Sequence, residues 1–178
     1  MILLNHGTSR EKIMASFSVS NSALLRNYYK EYRPLVVNSN RAEKKNGELS
    51  FADSMALRRA ISKLGDYNYN DSTDEDLNQK IRGFCDAYNL TLDSSKGSAT
   101  SSVKSAAKSM KILSKEYQDE LKKYGVSIND KGYMSLSETA TKNISHEKFS
   151  KVFGKDSEYM DKLYTYAKRI HSKVDILL

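Results

Sequence analysis

Few side chains in this sequence have the types and spacing that chemistry needs. There is one cysteine, Cys85, and there are three histidines, His6, His146 and His171. A catalytic thiol needs a base and a positive field to hold it as thiolate. The residues around Cys85, with Phe84 and Tyr88 on the same stretch, supply neither. Cys85 therefore reads as a buried structural residue, as free cysteines commonly are. A single cysteine also excludes an intrachain disulfide and a cysteine-ligated zinc site. His146 stands beside Glu147 in an expected first helical turn, and His171 lies one position off an apolar stripe. Both read as solvated surface residues. No HExxH, P-loop, GxGxxG or GxSxG spacing occurs, and no paired carboxylates suggest acid–base work. The sequence thus asks for no catalytic residue, metal or cofactor, and reads as a non-enzyme.

One segment merits a calcium test. With Gly132 as the sixth position of an EF-hand loop, the loop would run over residues 127–138 and place Glu138 at the bidentate last position. Positions one, three and five would then be Ser127, Asn129 and Lys131, where calcium wants carboxylates. A lysine ammonium in the ligand ring repels the ion. The segment reads instead as a hairpin turn.

The chain carries 29 Lys and Arg against 22 Asp and Glu, a net charge of +7, and its bases come in pairs: Lys44-Lys45, Arg58-Arg59, Lys122-Lys123 and Lys168-Arg169. A nucleic-acid footprint needs a continuous basic stripe. Here Glu116, Asp119, Glu120 and Asp161 interleave with several of the bases, and Tyr88, Tyr117 and Tyr124 fall on apolar faces rather than between charges. A solvated basic helical surface is the favoured reading, and nucleic acid is disfavoured as a partner.

The elements that must carry these residues are helices. The chain has 178 residues, one Pro and no Trp. Its mean hydropathy is −0.64. It holds no apolar run of membrane-spanning length. Residues 1–48 read as loosely ordered or partly helical, with a short helix near 9–17, a helix over 21–32 and a polar basic linker over 38–47. Residues 49–178 read as a helical bundle. Ser50 is the expected cap of its first helix, with Gly65 at the end. Thr73 caps the next, whose face is Leu77, Ile81, Phe84 and Tyr88. Residues 93–102 (DSSKGSATSS) read as a flexible break. A long helix over 106–124 carries Met110, Leu113 and Tyr117, and Gly125 ends it. A β-hairpin over 126–136 turns at Asn129, Asp130, Lys131 and Gly132. Short helices follow. A last helix, capped by Asp156 or Ser157, then places Met160, Leu163, Ala167, Ile170, Val174 and Leu177 in an unbroken heptad seam. The expected fold class is mainly α: an elongated bundle of coiled-coil-like helices with one small hairpin. Those seams are its expected packing and interaction surfaces.

Four pieces of this order resemble one family. Phe84-Cys-Asp-Ala-Tyr88-Asn89 resembles an F-x-x-A-Y-N helix; Leu121-Lys-Lys-Tyr-Gly125-Val-Ser-Ile128 resembles L-x-x-I-G-I-x-x; Gly132-Tyr-Met-Ser-Leu136 resembles G-x-L-S-L; and Val152-Phe153-Gly154 resembles a closing V-x-x-L-F-G. All occur in this order in the C-terminal part of bacterial flagellar filament-capping (hook-associated cap) proteins. With the final helix, the resemblance covers a little over half of the chain. It implies a structural, non-enzymatic role by helix–helix packing with itself or with flagellar subunits. It also implies export through the flagellar apparatus, with the N-terminal stretch as the export segment; without the resemblance the default compartment is the cytoplasm. Read without it, the sequence would suit a basic helical regulator binding nucleic acid or an acidic protein partner. Salt dependence separates the two readings, since nucleic-acid affinity falls steeply with salt.

Overall fold

The computed structural model describes residues 23–142 and 144–176. His6, the helix expected near 9–17, the proposed export segment and Leu177 lie outside the described residues. Within them the chain is mainly α, a helical bundle with one small antiparallel hairpin. The helices are α1 (Ala23–Tyr29), α2 (Asn38–Ala42), α3 (Asn46–Gly65), α4 (Asp74–Lys96), α5 (Ser101–Glu116), α6 (Gln118–Lys123), α7 (Glu138–Thr141), α8 (His146–Phe153) and α9 (Glu158–Lys173). Strands β1 (Val126–Ile128) and β2 (Met134–Leu136) lie between α6 and α7, with Val126 opposite Leu136.

Four helices close a ring. α3 packs on α4 and on α9, and α5 packs on those same two from the other side. α1 lies across α3 and α4. Because α4 is enclosed, its residues from Gly83 to Leu92 are buried on every face, as expected of a helix with no solvent side. Gly83 lets α1 approach closely: a Cβ there would come within 3.0 Å of the Tyr28 ring. The core is aromatic at one end, where Phe84, Phe149, Phe153 and Tyr124 meet with centroids 5.2–6.3 Å apart. Edge and tilted geometries of this kind add about 0.5–1.5 kcal/mol per pair beyond the burial.

Several elements begin and end where their chemistry dictates. The Thr73 hydroxyl accepts the Asp76 amide at 3.2 Å, and the Ser157 hydroxyl accepts that of Met160 at 3.3 Å. Gly125 (φ +80°) ends α6, and Gly132 (φ +90°) closes the hairpin turn, donating its amide to the Asn129 carbonyl at 2.9 Å. Glu138, the would-be calcium ligand, pairs with Arg82 instead.

Other boundaries differ from the sequence reading. α3 starts at Asn46, so Ser50 is a buried interior residue and not a cap. α4 runs on to Lys96, into the expected break, which is confined to residues 97–100 before α5. Its hydroxyls make this possible: Thr91 donates to the Ala87 carbonyl at 2.7 Å and Ser94 to that of Leu90 at 3.0 Å. They satisfy themselves on the helix backbone and can be buried. The expected 106–124 helix is interrupted at Tyr117 (φ −92°, ψ 5°), which separates α5 from α6. Residues 38–47 are not a linker: α2 occupies half of them, and Arg41 is buried. Its guanidinium donates twice to Asp53, at 2.8 and 2.7 Å, and once to the Leu35 carbonyl at 3.1 Å. The Tyr29 hydroxyl donates to the same carboxylate at 2.6 Å. One buried carboxylate thereby ties α1, the connecting chain and α3 together.

Candidate functional site

The expected seam residues are spent inside the bundle. Leu77, Ile81, Phe84 and Tyr88 of α4 are buried, as are Met110 and Leu113 of α5. Met160, Leu163, Ala167 and Ile170 of α9 are buried against the ring, while Tyr117 and Val174 are half-buried at its ends. Lys162, Lys168 and Lys173 face solvent. The partner of α9 is therefore α5 together with α3 of its own chain. Cys85 is buried too, and that burial, with Asp86 beside it, pushes its thiol pKa far up.

His146 is not a solvated residue. Its Nδ1 lies 2.7 Å from the Ser72 hydroxyl and 3.0 Å from the Ser72 carbonyl, and its Nε2 lies 2.6 Å from Asp74. The residue types are those of a hydrolytic triad, but the wiring is not. The Ser72 hydroxyl also has the Tyr69 carbonyl 2.9 Å away as acceptor for its proton. His146 works as a strap that holds the loop before α4 onto α8. Contacts across 74 residues of sequence leave no local signal that could have revealed it.

A second polar cluster latches the hairpin. The Asn89 side-chain amide donates to the Met134 carbonyl at 2.8 Å and accepts the Met134 amide at 2.7 Å. A buried side chain thus plays the part of a neighbouring strand for β2. Nearby, the Tyr133 hydroxyl donates to Asp93 at 2.8 Å and accepts from the Lys96 ammonium at 2.8 Å. Partial burial lowers the Lys96 pKa, and Asp93 opposes that shift.

A groove of about 890 Å³ runs along α3. Its floor is one stripe of that helix: Met55, Arg58, Arg59, Ser62 and Lys63, ending at Asp66. At 1.5 Å per residue the stripe is about 16 Å long. α1 forms one wall with Leu24, Asn27 and Tyr28; α9 forms the other with Tyr164 and His171. Beyond the end of α3, Tyr67, Asn68 and Asp71 of the loop and Asp76 and Lys80 of α4 close it.

Three charges along the groove, Lys80, Asp76 and Arg59, are paired. Lys80 pairs with Asp76 at 3.2 Å and sits over the Tyr67 ring. The Tyr67 hydroxyl donates to Asp76 at 2.5 Å, which holds that carboxyl below its usual range; burial and this bond push Tyr67 up to about 12. Arg59 donates to the Tyr28 carbonyl at 2.8 Å and lies 3.6 Å from Glu31.

Arg58 differs. It is half-buried, donates to the Tyr164 hydroxyl at 3.0 Å, and lies 5.1 Å above that ring. It has no carboxylate within ion-pair reach among the described residues, and its Nε is buried without an acceptor. The hydroxyl of Tyr28, on the facing wall, is likewise buried without a partner. His171 stacks on Phe51 with centroids 4.4 Å apart. Burial, then Arg58 and Arg59, lower its pKa. The sequence reading took Arg58-Arg59 for one basic pair among four and His171 for a surface residue. What joins them is the α3–α9 contact.

Among the described residues no group of three or more His, Cys, Asp and Glu is placed to hold a metal ion, and no helix is long and apolar enough to cross a membrane. No family model, no curated protein and no solved structure matches the chain.

Proposed function

We propose that this chain is a structural or assembly protein without enzymatic activity, similar in role to the helical region of bacterial flagellar caps. It acts by rigid helix–helix packing and by contacts with copies of itself or with partner subunits. The observation that carries the reading is the Asn89 clamp on Met134. Asn89 ends the F-x-x-A-Y-N stretch and Met134 lies within the G-Y-M-S-L stretch, so two pieces of the resemblance bond to each other directly. The fourth, Val152-Phe153-Gly154, supplies Phe153 to the same aromatic core as Phe84. Because the α9 seam is consumed within the chain, assembly contacts fall on the outer surface.

The test is co-sedimentation of the purified chain with bacterial flagellar filaments, beside sedimentation velocity of the chain alone. Association with filaments or a defined oligomer is expected. A monomer that stays in the supernatant across the accessible concentration range would overturn the reading.

A further inference from the structure

The groove along α3 contains a cationic group that the fold leaves unmatched. A half-buried guanidinium has lost much of its hydration, and the usual compensation is a carboxylate with charge-assisted hydrogen bonds. Arg58 has only a neutral phenol, and its Nε–H has no acceptor. Lys63, one turn along the same stripe, forms no ion pair either among the described residues. We infer that the Arg58 end of this groove receives a carboxylate side chain from an acidic peptide segment of a partner protein, lying along α3 between α1 and α9. The inference rests on the assembly reading and names the surface and the chemistry of the partner.

The choice of a peptide over other anions follows from the rest of the groove. A nucleic-acid strand along the same floor would carry its charge past Asp66 and Asp71, which repel it. A peptide can set an acidic residue over Arg58 and a neutral or basic one over Asp66. The length suits it as well: a stripe of about 16 Å spans three turns of a docked helix. Leu24, Met55 and the Tyr164 ring offer apolar surface beside the charge.

The experiment uses the full chain and a fluorescent helical peptide of about 14 residues, long enough to cover the groove. Its interior alternates Leu/Ala with Glu; a matched probe carries Gln at every Glu. Binding is read by anisotropy near 150 mM salt, where exposed long-range attraction is screened. The Glu probe should bind at least about tenfold more tightly than the Gln probe. Arg58→Gln should abolish that difference and Arg58→Lys should keep part of it, while Lys122→Gln, which removes a charge on α6, should leave it intact. Equal binding of the two probes, or a difference that survives Arg58→Gln, would overturn the inference. So would tighter binding of a single-stranded oligonucleotide to the same site. NMR titration of His171 in the unmutated chain is independent of how any variant folds. A carboxylate seated at Arg58 must raise the His171 pKa, and an unmoved titration excludes the site. If the chain sediments with filaments while both probe tests fail, the groove assignment falls and the assembly reading stands.

Discussion

The Asp53 carboxylate and its partners show how much can depend on one side chain. It is fully buried, and the three hydrogen bonds it accepts come from Arg41 and Tyr29. Removing one member of a buried ion pair strands the other, at a typical cost of about 3–5 kcal/mol. Asp53→Ala and Arg41→Ala should each lower the urea midpoint by that measure. The double variant should lose much less than the sum, because no unpaired charge remains. Additive losses would show that the pair is not coupled. His171 gives the acid side of the profile. Its folded pKa lies below the ordinary 6.5, so the unfolded chain binds the proton first as pH falls. Stability is full above about pH 6.5 and is lost as pH drops through the interval down to the folded value. His171→Asn should flatten the stability profile in that window; an unchanged slope would mean that burial and the Arg58 and Arg59 charges do not hold the ring's pKa down. Neither feature was legible in the sequence. Arg41 sits in a run of Asn, Ser, Lys and Glu whose composition is that of a solvated linker, and only the fold places it beside Asp53.

At the scale of elements, the sequence showed most where one face alone is buried. α9 keeps a strict seam, with Met160, Leu163, Ala167 and Ile170 inside and Lys162 and Lys168 outside, and its periodicity said so. Ile170→Asp sets a carboxylate in that seam and should cost about 3 kcal/mol or more. Lys168→Asp, on the wet face, should change stability by less than about 0.5 kcal/mol. Thermal melts of the two variants decide the matter: coincident midpoints would show that the seam is not packed. Where a helix is enclosed, the same reasoning failed. Residues 93–102 read as a break, yet α4 continues to Lys96 and buries Ser94 and Ser95 within it. The Ser94 hydroxyl bonds back to the Leu90 carbonyl, and composition does not distinguish such a serine from a loop serine. The start of α3 was misplaced for a related reason. Ser50 has the type of a cap and, three residues on, an acid in the right place, but Asp53 is engaged with Arg41.

At the scale of the molecule, the fold class was readable and the closure was not. Alternating patterns announce helices and a hairpin; they do not say that α3 and α9, at opposite ends of the described chain, complete one ring. The groove follows from that closure. The Arg58–Tyr164 contact spans 106 residues, beyond the reach of any local pattern. A ring in which each helix is packed on both neighbours should unfold as one unit. Near- and far-ultraviolet circular dichroism should therefore give coincident melting curves, and separated transitions would mean that α9 or the hairpin detaches by itself.

The closing helix also determines how the protein would bear load. α9 is the last helix among the described residues, and the segment from α8 through Ser157 joins it to the rest. Tension applied beyond Lys173 acts on one turn at a time, as when tape is peeled from a surface. Tension applied across the Asn89 clamp instead strains two parallel hydrogen bonds and the packing around them together, as in shear. The molecule is thus mechanically anisotropic. A chain tethered by its C-terminal end should yield at low force, in a first step the length of α9, while one held at the hairpin should resist. The attachment point decides which of these two materials a pulling partner encounters.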